Sequence, residues 1–451
     1  MSVNFIESDR KTPFLLPPSI EDWLPEGHLA RFVVEIVEQL DLSSLTEPYT
    51  GRGSQPHHPA MLVALLFYGY AVGVFSSRKI ERSTYDSVAF RYIAANSHPD
   101  HDTIAHFRKR FLQELTGLFV QILWVARQMG VLKLGNVSLD GSKVKAHASK
   151  HKALSYEHAC KLEGQLKNEV AELLQKAEAA DRADLPDGLS IPEELQRRED
   201  RLRAIRNAKV EIERRAAERH AREQAAYREK MATRVRQEQE TGKKPPGRQP
   251  QPPVPGPTAK DQVNLTDEES RIMPTSGGFE QCYNAQAGVD VATKIIVSAH
   301  VTQEPNDKQQ LEPALKKLTV LPKELGEVSG LISDSGYFSE TNVKACESQG
   351  ITPYIAVDRE RHHQDPWDRF REPPALPEGA DAVSRMRHRL KTAAGKAIYA
   401  LRKVTSEPVF GIIKAVMGFR SFQMRGIEAA EGEWNLVCMA WNIKRLHVLT
   451  R

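Results

Sequence analysis

The sequence predicts an α/β protein: a mixed sheet flanked by helices, preceded by an all-helical region and interrupted by a long helical hairpin. Three observations predict it. Apolar residues recur at helical spacing from about residue 17 to residue 130. Short apolar segments with strand character occur at Val137–Val144 and again between Cys282 and Val357. Between them, a tract rich in Glu, Lys, Arg, Gln and Ala runs from about Tyr156 to Gln239 and gives way to proline.

The elements follow in order. Pro59 suits the first turn of a helix, and Met61, Leu62, Leu65 and Leu66 give it a buried face. Asp102 reads as the N-cap of one long helix carrying Ile104, Phe107, Phe111, Leu115 and Ile122, which ends near Gly130. Arg108, Lys109 and Arg110 fall on its early turns, as a solvated basic face or as phosphate contacts. In the charged tract, Leu162, Leu166, Val170 and Leu173 make a narrow stripe that Leu202, Ile205 and Ile212 resume after LPDG at 185–188, with a capping-box pattern at Ser190 and Glu193. That pattern is an antiparallel helical hairpin. GKKPPGRQPQPPVPGP, 242–257, excludes helix and central strand and serves as a tether.

Strands return as CYNAQAGVDVA and KIIVSAHVTQ, then a helix from about Lys308 to Leu318, the strand GLIS leading to Asp334, a short helix from about Glu340, and TPYIAV. RHHQDPWDRFREPP, 361–374, reads as an irregular surface loop with Trp367 and Arg371 as its candidate contact residues. Val409, Ile412, Ile413 and Val416 share one face of a helix that tolerates Pro408 in its first turn and so places Glu407 at its start. Lys414 is then two turns along the same face. Trp434, Trp441 and Asn442 pack a last helix, with Lys444 and Arg445 on its exposed side.

Bulk properties bound the function. A chain of 451 residues with 40% hydrophobic content is expected to form two or three domains. The divisions are 1–134, helical; 135–154 with 259–420, the sheet domain; 155–258, the inserted hairpin and tether; and 421–451, a C-terminal helical segment. With 63 Lys+Arg against 59 Asp+Glu the net charge is only +4, so global charge does not argue for nucleic acid. The four cysteines, Cys160, Cys282, Cys346 and Cys438, are too scattered for a zinc ribbon or a disulfide framework and fit a reducing cytoplasm. The opening MSVNFIESDRKTPFLLPP lacks the pattern of a secretion signal, and the apolar run Met61–Phe75 is shorter than the roughly 18 residues of a membrane span. His147 and His151 have i, i+4 spacing but no third metal ligand nearby.

Three carboxylates stand out. Asp140 lies within the strand of NVSLDGSKVKAHASK, Asp334 at the carboxyl end of an apolar strand, and Glu407 at a helix start. Each has a bland explanation as a turn, a cap or a charge on the helix dipole. Brought together they are hard oxygen ligands for Mg²⁺ or Mn²⁺, and two such ions about 3.5–4 Å apart suit in-line phosphoryl transfer. No GxSxG, Walker loop or HExxH occurs.

In this order, LDGSKVKAHASK, GFEQCYNAQAGVDVATKIIV, ISDSGYFS and SEPVFGIIK resemble the DDE transposases of bacterial insertion sequences, in the branch with a helical N-terminal domain and an EPVFGxIK-type glutamate helix. PHHPAMLVALLFYGYAVGVFSSRKIER and NLVCMAWNIKRL resemble that family's first and last helices. The resemblance implies a ribonuclease-H-like fold, Asp140, Asp334 and Glu407 as catalytic ligands of two Mg²⁺ or Mn²⁺ ions, and Tyr399, Arg402 and Lys414 as a signature with Glu407. Four residues separate Arg402 from Glu407, one more than in the commonest form of that signature. Lys143, Lys145, Tyr399, Arg402, Lys403 and Lys414 are the candidate DNA contacts. It further implies a bacterial, cytoplasmic, nucleoid-associated transposase. Its partners are double-stranded DNA at the element's terminal repeats and at the target, and further copies of itself in a dimer or larger assembly. The alternatives are a transposase-derived DNA-binding protein that no longer cuts, and a partner-recruiting protein built on the hairpin.

Overall fold

The computed structural model describes residues 19–49, 56–180, 191–357 and 373–451. The LPDG turn, Ser190, Trp367 and Arg371 lie outside the described residues. Among the described residues, seven α-helices come first: α1 (Leu29–Glu38), α2 (Ser43–Thr46), α3 (Pro59–Ala71), α4 (Ser77–Asp86), α5 (Val88–Ile93), α6 (His101–Arg110) and α7 (Leu112–Gln128). Then come β1 (Asn136–Lys145), β2 (Ala153–Ser155), the hairpin helices α8 (Tyr156–Ala180) and α9 (Ile191–Thr241), β3 (Gln262–Asn264), β4 (Arg271–Thr275), β5 (Gly278–Asp290) and β6 (Ile296–Thr302). The chain continues through α10 (Leu311–Thr319), β7 (Gly330–Ser333), α11 (Glu340–Ser348), β8 (Thr352–Ile355), α12 (Ala382–Lys391), α13 (Ala393–Ala400), α14 (Ser406–Gly411) and α15 (Ile427–Leu449).

The chain divides into two compact units, the first being Met1–Val144, Asn284–Met424 and Glu428–Arg451. Its strands run in the order β6-β5-β1-β7-β8. β5 and β6 are antiparallel, whereas β1, β7 and β8 are parallel neighbours. Parallel strands need crossovers, and α11 supplies the one between β7 and β8. The N-terminal helices bury Val33, Leu65, Phe67, Ile104, Leu118 and Ile122. Edge strand β6 is covered by α15, where the Asn442 amide accepts from the Ile296 N–H and donates to the Ile296 carbonyl, each at 2.8 Å. The side chain thus takes the place of a neighbouring strand.

The second unit is Lys145–Tyr283 with Arg425–Ile427. α8 and α9 are antiparallel: Tyr156 donates to Glu213, Lys209 pairs with Glu163, and Arg198 pairs with Glu169. Leu154, Ala159, Leu166, Leu202, Ile205, Ala208, Ile212 and Val263 form its core. At its base β2 pairs antiparallel with β3, Ser155 opposite Gln262. The proline-rich segment does not leave α9 freely, since Arg234 donates to the Pro245 carbonyl and Arg219 pairs with Asp261.

Several expectations need correction. The long helix from Asp102 is two helices, capped instead by Asp100, whose carboxylate accepts from Thr103 N–H at 2.7 Å. The break falls at Phe111, which is buried with its ring against Tyr49 and Phe107. Arg108 is neither on an early turn nor solvated: it is buried in the last turn of α6 and donates to the Tyr70 hydroxyl and the Phe75 carbonyl. α10 starts at Leu311, because Asp307 and Gln310 form a turn before it. Lys444 and Arg445 are half-buried, donating to the carbonyls of Ala71 and Thr293. His147 and His151 are exposed and share no helix.

Candidate active site

β1 pairs with β7 as Asn136↔Gly330, Val137↔Leu331 and Ser138↔Ile332. Two residues past the last pair on each strand stand Asp140 and Asp334. In parallel strands equivalent residues share a face, so this register carries the two carboxylates to the same level of adjacent strands. Their charges interact across that gap. Asp140 accepts from the Gly141 N–H at 2.8 Å, and Asp334 caps the short turn Ser335–Tyr337 by accepting from the Gly336 N–H at 2.8 Å. Capping the turn and facing Asp140 are therefore compatible.

The start of the glutamate helix is docked onto the same strand. The hydroxyls of Ser138 and Ser406, both fully buried, are 3.1 Å apart. Ser138 lies two residues before Asp140 on the same face of β1, and Ser406 adjoins Glu407. Glu407 forms an ion pair with Arg402 at 3.0 Å. The Arg402 guanidinium also interacts with the charges of Tyr399, Asp140 and Asp334, and its Nε is buried without a hydrogen-bond partner. One cation thus stands among the three predicted acids. Burial, reinforced by the charges of Asp334 and Asp307, pushes the Asp140 carboxyl up to about 6, against the pull of the Gly141 N–H and of Arg402.

Past α14 the helix widens into a π-turn over Ile412–Val416. The extra residue shifts the phase of the face. Val409, Ile413 and Met417 are buried while Val416 is 69% exposed, which corrects the expected face. Lys414, instead of continuing the face of Glu407, donates to the Ser142 hydroxyl at 2.5 Å and the Lys143 carbonyl at 2.7 Å. It braces β1 just beyond Asp140.

Of the other candidates, Lys143 lies 3.8 Å from Asp307 and Tyr399 is half-buried one turn before Arg402. Lys403 is exposed, and Lys145 pairs with Glu280 at 3.2 Å within the second unit. Asp307 was missed by sequence reasoning. It belongs to no motif and sits in a polar loop, where an aspartate carries no signal.

Among the described residues no group of three or more His, Cys, Asp or Glu is arranged to hold a metal ion, and Glu407 is paired with Arg402. The donor chemistry nevertheless fits a hard divalent cation. Asp140 and Asp334 present carboxylate oxygens at one level, and a buried carboxylate beside like charges is a group that a cation would relieve.

Two family models match the chain. One, Transposase domain (DUF772), matches residues 18–110 in the N-terminal helices; the other, Transposase DDE domain, matches residues 246–443, which include Asp334 and Glu407. Asp140 lies outside both spans. No curated protein and no solved structure gives a significant match. The DDE domain makes the mixed sheet ribonuclease-H-like. With one transposase match on the N-terminal helices and another over most of the sheet, the chain belongs to the DDE transposases of insertion sequences.

Proposed function

We propose that this transposase cuts DNA at the ends of its insertion sequence and joins the freed 3′-hydroxyls to target DNA, with Asp140, Asp334 and Glu407 holding two Mg²⁺ or Mn²⁺ ions. The observation that carries the reading is the β1–β7 register, which brings two aspartates distant in sequence to one level, with Ser138–Ser406 fastening the glutamate helix beside them. When bound, the divalent ions activate the attacking oxygen and stabilise the leaving one, so no covalent protein nucleophile is required.

The chain's own residues orient and balance charge. Asp140 and Asp334 are fixed by backbone N–H groups of the glycines that follow them, so their free oxygens keep one direction. Arg402 neutralises Glu407 and moderates the acids; turned to the DNA, a guanidinium is suited to bidentate contact with phosphate. Lys414 keeps β1 in place beneath the carboxylates. Tyr399, Lys403 and Lys145 serve as further DNA contacts.

The N-terminal helices, 1–134, bind the terminal repeats and assist assembly of a dimer or larger complex. Residues 155–258 are an insertion into the catalytic domain, 135–154 with 259–420, and 421–451 complete the chain. The protein acts on the bacterial nucleoid. Purified protein with Mg²⁺ or Mn²⁺ is expected to nick DNA carrying the element's ends, and Asp334→Asn to abolish nicking while leaving end binding intact. Undiminished nicking by that variant would refute the assignment.

A further inference from the structure

Asp307, on the loop between β6 and α10, is tied into the site from two directions. Its Oδ1 accepts from Asn284 Nδ2 and from Gln286 Nε2, each at 2.7 Å. Both amide residues are fully buried on β5. The Gln286 oxygen in turn accepts from the hydroxyl of Tyr337, three residues past Asp334. From the other side Lys143 Nζ approaches the same Oδ1 to 3.8 Å. Lys143 is three residues past Asp140, and its backbone carbonyl is already held by Lys414.

The carboxylate also lies against the backbone that follows Asp140. A Cβ on Gly141 would stand 2.1 Å from Gln286 Nε2 and 2.7 Å from Asp307 Oδ1, so only glycine leaves room for the pair. A lysine on a four-carbon stem is ordinarily a mobile point charge. Here two buried amides fix a carboxylate, and the carboxylate stands within ion-pair range of the ammonium.

We propose that Asp307 is a positioning residue, which presents the Lys143 ammonium to a phosphate of the DNA bound at Asp140 and Asp334. The inference rests on the reading of this site as a DNA phosphoryl-transfer centre. It assigns the two alternate lysines of SKVK different work, because Lys145 pairs elsewhere, with Glu280. Its charge makes the proposal sharp. An acid acting only through its field repels DNA, so removing it strengthens binding; an acid that positions a lysine weakens binding when removed.

The test is affinity of the full chain for a short fluorescent duplex of random sequence, at low salt in EDTA so that no cleavage intervenes. Asp307→Asn keeps an oxygen for both amides and is expected to melt like wild type, yet to bind about fivefold more weakly. Lys143→Gln is expected to weaken binding to a similar extent, and the double variant no further than Lys143→Gln alone. Asp307→Glu retains the charge but displaces it by one methylene; positioning predicts weaker binding here too, a field effect none, and this variant decides the matter if Asp307→Asn does not fold. Tighter or unchanged binding by a folded Asp307→Asn, or multiplying effects of Asp307→Asn and Lys143→Gln, would overturn the proposal. A wild-type chain that binds no duplex would instead overturn the DNA-processing reading, and this inference with it.

Discussion

Burying Asp140 beside Asp334 and Asp307 sets like charges against one another where water screens them poorly. The metal-free protein therefore carries a local cost that the uncharged isostere escapes. Asp140→Asn is expected to raise stability in EDTA at neutral pH by about 2 kcal/mol, measured by denaturant melts, while nicking is lost. His300 makes a cost of the opposite kind. It is buried on β6 against Gln310, and burial, with Lys317 nearby, holds its imidazole down to about 4 from an ordinary 6.5. The unfolded chain takes up this proton near pH 6.5 and the folded chain only near pH 4, so the contribution is whole above 6.5 and is lost as pH falls towards 4. Between pH 7 and pH 4.5 wild type is expected to lose about 2–3 kcal/mol more than His300→Gln, read from melts at the two pH values. The acids at 140, 334 and 407 were singled out by the order of the motifs around them, since each alone has a bland local explanation. Asp307 and Arg108 were not. An aspartate in a polar loop and an arginine in a basic run look solvated until distant partners are known, and those partners, Gln286 and Tyr70, come from other elements.

Helical periodicity located most elements, and it failed where a helix departs from 3.6 residues per turn. The π-turn at Ile412–Val416 leaves no mark in composition, yet it decides that Met417 is buried and that Lys414 reaches back to β1. Helix α15 shows what the apolar pattern conceals in the other direction. Among its buried residues is Glu433, whose carboxylate accepts from the Tyr70 hydroxyl at 2.9 Å and from the backbone N–H groups of Gln423 and Met424. Arg108 donates to that same hydroxyl, so one fully buried acid joins α3, α6, α15 and the segment before it. Removing it strands two backbone donors, a hydroxyl and a buried guanidinium. Glu433→Ala is expected to cost about 3–5 kcal/mol in denaturant melts, and Glu433→Gln, which retains an acceptor, clearly less.

At the scale of the whole chain, sequence composition alone marked where the sheet is interrupted, since a charged helical tract and a proline run cannot be central strands. It gave no sign of how the interruption is closed. The ribbon of β2 and β3 does this: Ala153, Leu154 and Ser155 face Asn264, Val263 and Gln262, and the Tyr156 N–H donates to the Asp261 carbonyl at 2.8 Å. The chain departs and returns at one point. Replacing residues 156–261 with a short turn is therefore expected to leave a soluble chain with a single cooperative melt; aggregation or loss of the transition would show that the hairpin is needed to fold the rest. The ribbon bears also on the order of events during synthesis. α8, α9 and the two short strands meet through contacts local to their own segment, so they can form as they leave the ribosome, before β5 to β8 are made. Once the ribbon has zipped, the closure entropy of a long excursion has already been met, and β5 reaches the nascent sheet as though it followed β1 through a brief connection.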